Sequence, residues 1–177
     1  APTRQRGTSK ARIIPFVFNT QQTYMLEFTP FYIRFIKDGA NVMSSTKTIT
    51  GITKANPAVV TCVAHGFTDG DEIEIDGVLG MTEVNGRRFY VQNSTANTFQ
   101  ITADSLINSS AYGTYTSGGT ASKMYEISTP YIYEDIFDLK YVQSADVMTI
   151  VHPNYAPREL ARRGDADWTL STITIAP

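Results

Sequence analysis

Apolar and polar residues alternate in short runs along most of this chain, the spacing of strands and not of helices. Arg12 to Phe18 is an apolar run of strand length, Gln21-Gln22 marks a turn, and Thr23 to Phe28 resumes strand character. In Phe31 to Lys37, Tyr32, Arg34 and Ile36 alternate with Ile33 and Phe35. Asp38-Gly39 follows as a hairpin signal, because both residues tolerate the positive φ such turns require. This opening reads as a meander of antiparallel strands.

The pattern changes near Lys47. From there to about Ser122 the chain is richer in Gly, Asn, Asp and Thr. Strands are predicted at 48–53, 58–63, 71–75, 87–92 and 98–101. Turn signals separate them: Ala55-Asn56-Pro57, Thr68-Asp69-Gly70, Asp76-Gly77, Asn85-Gly86 and Ala96-Asn97. Short strands at this spacing predict a small β-barrel or sandwich. Ser117-Gly118-Gly119 reads as an exit loop.

The first texture returns after Ser122. Met124–Ile127 and Val147–Val151 read as strands, His152 to Pro157 as a rigid loop, and Trp168–Ile175 as a closing strand. Glu134 to Val142 is the best helix candidate, with acids near its start where the helix dipole favours them. The fold class is therefore mainly β: a discontinuous antiparallel sheet domain with one short helix, interrupted by a small barrel. The boundaries are a basic arm at 1–10, a β-rich platform at 11–46 plus 123–177, and the inserted barrel at 47–122. An insert is cheapest at a hairpin tip, where its two ends lie close together.

Composition narrows the classes. Of the 177 residues, 42% are hydrophobic and 18% charged, enough for a packed core and against wholesale disorder. A net charge of -2 argues against a general nucleic-acid binder. No apolar stretch is long enough to span a membrane. The chain begins Ala1-Pro2-Thr3 without an initiator Met, so a processed product or an excised fragment is expected, the fragment being favoured.

Candidate chemistry is sparse. One cysteine, Cys62, excludes an internal disulfide, and its apolar setting in Val59–Val63 favours a buried core residue over an activated nucleophile. Asp69, Asp71, Glu72, Glu74 and Asp76 invite a calcium loop, but Ile73 and Ile75 alternate with the acids as on a strand with one wet face. His152-Pro153 lacks a second ligand at metal spacing. No complete nucleophile, base and orienting group can be assembled, so no catalytic, cofactor-binding or metal residue is assigned and a non-enzyme is expected. Arg4, Arg6, Lys10 and Arg12 form a basic stretch that reads first as a solvated, flexible arm and, in an assembly, as a contact for DNA phosphate or a neighbouring subunit. Tyr90, Tyr112 and Tyr115 would stack on sugars if the barrel binds glycans. Arg158, Arg162 and Arg163, mixed with Glu159, Asp165 and Asp167, read as a solvated surface.

Two resemblances follow from these residues. The flanks, through Ala11 to Phe16, Tyr24 to Phe28, Tyr32 to Gly39, Tyr125 to Tyr131, Asp138 to Val147 and Val151 to Arg158, resemble the tail tubular or nozzle proteins of short-tailed bacteriophages (podoviruses). That resemblance implies a structural virion component acting in tail assembly and DNA conduit formation. It implies a homo-oligomeric ring with other tail proteins and transient DNA passage. It places the protein in the phage tail after synthesis in the bacterial cytoplasm; the isolated fragment would be monomeric. The alternative reading is a surface-exposed carbohydrate- or receptor-binding module. The insert, through Ala64-His65-Gly66-Phe67, Gly70-Asp71-Glu72-Ile73, Gly77 to Met81, Asn85-Gly86-Arg87 and Asn97-Thr98-Phe99, resembles a barrel in the first catalytic-cysteine half-domain of ubiquitin-activating enzymes. That likeness is to a scaffold and implies no chemistry.

Overall fold

The structure, a computed structural model, describes residues 11–17 and 23–174. In chain order the strands are β1 (Arg12–Val17), β2 (Thr23–Thr29), β3 (Tyr32–Lys37), β4 (Ala40–Asn41), β5 (Met43–Thr48), β6 (Gly51–Ile52), β7 (Val59–Thr61) and β8 (Glu72–Leu79). They continue with β9 (Arg87–Gln92), β10 (Thr98–Thr102), β11 (Ser117–Met124), β12 (Glu126–Ser128), β13 (Lys140–Ser144), β14 (Val147–His152), β15 (Tyr155–Gly164) and β16 (Asp167–Thr172). The chain divides into two compact units, the middle one Met43–Met124 and the other made of the residues on either side. The fold is mainly β and its strand pairings are antiparallel.

The flanking unit stacks two sheets. One has the order β1-β2-β3-β12 with β4 paired to β3, and the other the order β13-β14-β15-β16. Alternation places Ile14, Phe16, Tyr24, Leu26, Phe28, Ile33 and Phe35 of the first sheet in one core with Met148, Ile150, Leu160 and Trp168 of the second. Trp168 is the hub: its ring centroid lies 4.8 Å from Phe16, 5.2 Å from Tyr24 and 4.5 Å from Phe35. Asp38 and Gly39 take φ of 52° and 80°, the left-handed geometry of a two-residue hairpin. Pro15 lies in edge strand β1, opposite Met25. There its missing N–H breaks no ladder bond.

The middle unit is one sheet of order β5-β11-β8-β9-β10-β7-β6 around Val60, Cys62, Ile73, Ile75, Phe89, Val91, Phe99 and Ile101. Its terminal strands β5 and β6 do not pair with each other, so the barrel expected here is an open sheet. Its first and last strands are neighbours, with Met43 opposite Met124. Strand β11 runs through the stretch read as an exit loop. Gly118 and Gly119 have φ of 72° and 96°, and a Cβ on Gly119 would lie 2.4 Å from Val78 Cγ2. Backbone proximity to β8, not looseness, explains this glycine pair.

The helix expected at Glu134–Val142 is absent. Residues 133–138 form turns and β13 starts at Lys140. In a helix, the Ile136 carbonyl would accept from Lys140 N–H. Instead Arg12 Nη1 donates toward the carbonyls of Ile136, Phe137 and Leu139 at 2.9–3.0 Å, and Lys140 joins a ladder opposite Val151. The only helical element among the described residues is the 3-10 turn Thr82–Val84.

Candidate functional site

A cavity of about 390 Å³ in the flanking unit is lined by Asp135, Asp138, Lys140, His152, Pro153 and Asn154. The turns after Tyr131 bring Asp135 to it, and the end of β14 brings His152. The imidazole is 4% exposed and its Nδ1 accepts from Asn154 N–H at 3.1 Å. The neutral ring therefore carries its proton on Nε2, which faces Asp135 Oδ1 at 3.6 Å. Tyr155 donates its hydroxyl to Asp135 Oδ2, and that bond, together with burial, raises the phenol above its ordinary pKa. This is an orienting cluster without a nucleophile: Tyr155 bonds Asp135, Asp135 faces His152, and none is an activated serine or thiol.

In the middle unit Cys62 and His65 stand close in sequence. The thiol is fully buried, and burial pushes its pKa up, the reverse of what a nucleophilic cysteine needs. His65 Nδ1 accepts from Phe67 N–H at 2.9 Å, which again places the proton of the neutral ring on Nε2. Its ring packs among Phe67 and Phe99, with centroids 5.1 and 5.0 Å away. With Nδ1 engaged as an acceptor and the proton on Nε2, the neutral ring has no free lone pair to serve as a base toward Cys62.

The acids read as a possible calcium loop are distributed among protein partners. Asp69 accepts from Ser94 N–H, Asp71 accepts from Thr68 N–H and pairs with Lys123 at 2.8 Å, and Glu74 faces Arg88 at 3.7 Å. Among the described residues no three His, Cys, Asp or Glu side chains are grouped to hold a metal ion. Tyr112 and Tyr115 pack against the core. The Tyr112 hydroxyl accepts from Arg87 Nη1, and the Tyr115 hydroxyl lies 3.0 Å from the Gly118 carbonyl and 3.2 Å from that of Ile49. Tyr90 is half-buried on β9, opposite Glu72 and Thr102. Arg12 is the turn staple described above, and Arg4, Arg6 and Lys10 lie outside the described residues. Asp135 and Tyr155 escaped the sequence reading because 17 residues separate Asp135 from His152 and no local spacing joins them.

The fold and its sites describe a β scaffold with buried, locally committed polar groups. Residues 55–124 match the family described as the ubiquitin-activating enzyme E1 FCCH domain. The chain is also similar to ubiquitin-like modifier-activating enzyme 1 of Oryctolagus cuniculus, 35% identical over 80 residues. That similarity covers 43% of this chain and 7% of the rabbit enzyme. Both findings are similarities to ubiquitin-activating enzymes and not to phage tail proteins, and they overturn the tail-nozzle expectation. With it go the ring of tail proteins, the DNA passage, and the virion location. They give no support to the alternative of a carbohydrate- or receptor-binding surface module.

Proposed function

We propose that the Met43–Met124 unit is a non-catalytic β module of the FCCH kind, and that the chain binds and positions a partner in ubiquitin-like modifier activation without chemistry of its own. The observation that carries this reading is the fit of the matched segment, 55–124, inside one compact unit whose single thiol is fully buried. The pairing of Met43 with Met124 supports a module that interrupts a platform formed by the residues on either side.

The partner class is a ubiquitin-like protein or the remainder of an activating enzyme. The test is a titration of the isotope-labelled chain with ubiquitin, followed by amide shifts. Saturable shifts confined to 43–124 are expected. A flat titration to millimolar ubiquitin would remove the binding half of the proposal. A parallel incubation with ubiquitin, ATP and magnesium is expected to give no reducible adduct. An adduct that disappears in Cys62→Ser would show that the chain is catalytic after all.

A further inference from the structure

The flanking unit holds a buried donor that its own acids leave unanswered. On β15, Arg158 lies opposite Ile150 of β14, and cross-strand partners share a face of the sheet. Ile150 is fully buried in the core, so Arg158 is set on the core-facing side. Four residues on, core-facing Arg162 reaches Asp165 at 3.5 Å and Asp146 at 3.8 Å. Arg158 forms no ion pair among the described residues, and its buried Nε has no hydrogen-bond partner.

Its electrostatic neighbour is Tyr131, 1% exposed and part of the same core as Ile150. Burial raises the Tyr131 phenol, and the Arg158 charge acts against that rise. The Tyr131 hydroxyl makes no hydrogen bond among the described residues. A buried donor without an acceptor is destabilising, and Arg158 Nε is such a donor. A half-buried guanidinium keeps a solvent-open end, and its planar fork matches the oxygens of carboxylates and phosphates.

We propose that Arg158 and Tyr131 form a small oxyanion site, taking the carboxylate or phosphate group of a ligand that supplies the missing acceptor. The site lies in the flanking unit and stands independently of the module reading above.

The test follows the arginine Nε–Hε resonances of the whole labelled chain, with sodium phosphate and sodium acetate added separately at ionic strength held constant with NaCl. The Arg158 signal, assigned by its loss in Arg158→Lys, is expected to move saturably with a millimolar midpoint. The preferred anion separates a phosphate ligand from a carboxylate one. Tyr131→Phe, which keeps the ring, is expected to weaken binding two- to fivefold and keeps the test valid if Arg158→Lys does not fold. An Arg158 signal that ignores both anions, or that shows only contact to a buried water, overturns the site. So does a midpoint unchanged in Tyr131→Phe.

Discussion

His152 in the flanking unit and His65 in the middle unit sit in the same local device and meet opposite surroundings. In each, Nδ1 accepts the amide two residues ahead, and the neutral ring carries its proton on Nε2. His152 points that proton toward Asp135, which is itself held by Tyr155. His65 points it into aromatic packing, where Nε2 has no hydrogen-bond partner. The local turn fixes the tautomer, and the tertiary setting decides whether the donor faces a carboxylate. The same contrast runs through the two units. The flanking unit ties its sheets with an aromatic hub and with charged pairs around Asp165. The middle unit ties its loops with side-chain bonds to backbone, as at Ser109.

The hub should give the largest effect. Trp168→Ala is expected to destabilise the flanking unit by about 3–5 kcal/mol. Hydrogen exchange should then show lost protection in β13–β16 while β7–β10 keep theirs; equal losses would erase the distinction between the units. The loop tie comes next. Ser109 is fully buried, its hydroxyl donates to the carbonyl of Thr53 at 2.6 Å, and its oxygen accepts from Ala55 N–H at 3.1 Å. Ser109→Ala is expected to cost about 1–3 kcal/mol by denaturant unfolding, with lost protection confined to the middle unit.

The histidines sharpen the contrast further. His152→Phe removes the acceptor of the Asn154 amide and the ring that faces Asp135, and should cost about 1–3 kcal/mol. His65→Phe loses one bond but also removes a buried unsatisfied donor, so its net cost should stay below about 1 kcal/mol. Reversal of that order in thermal melts would mean that His65 Nε2 has a partner after all.

The smallest effect is at Asp165, which accepts from Lys37 at 2.8 Å and from Tyr24. Those bonds hold its carboxyl below the ordinary value. A depressed carboxylate pKa adds stability above the unfolded pKa near ~4, and this is lost as pH falls through the folded value. Asp165 is half exposed, so Asp165→Asn should cost only about 0.2–1 kcal/mol at neutral pH. The difference from the parent should close as pH falls through the depressed folded value, measured by urea unfolding across pH. A constant difference across that range would assign the effect to packing and not to charge.

Several elements were legible in the chain alone. The alternation in Tyr32–Lys37, the Asp38-Gly39 turn and the strands at Arg87–Gln92 and Thr98–Thr102 follow from period-two burial and turn chemistry that act over a few residues. The burial of Cys62 was legible for the same reason. Other elements misled. Ser117-Gly118-Gly119 read as a loop, because no local signal reports a strand approaching closely enough to demand glycine. Glu134–Val142 read as a helix, because its carbonyls are taken by Arg12, more than 120 residues away in the chain. The charged run within Tyr155–Gly164 read as open surface, yet it is a ten-residue strand flanked by β14 and β16.

The sequence by itself determined the β class, most turns, and the burial of Cys62, since burial periodicity and residue chemistry are local properties. The tertiary structure alone decided that the middle sheet stays open, that Asp135, His152 and Tyr155 meet, and which histidine faces a carboxylate. Those outcomes depend on groups brought together by the packing of strands, and no spacing along the chain encodes which partner a side chain meets there.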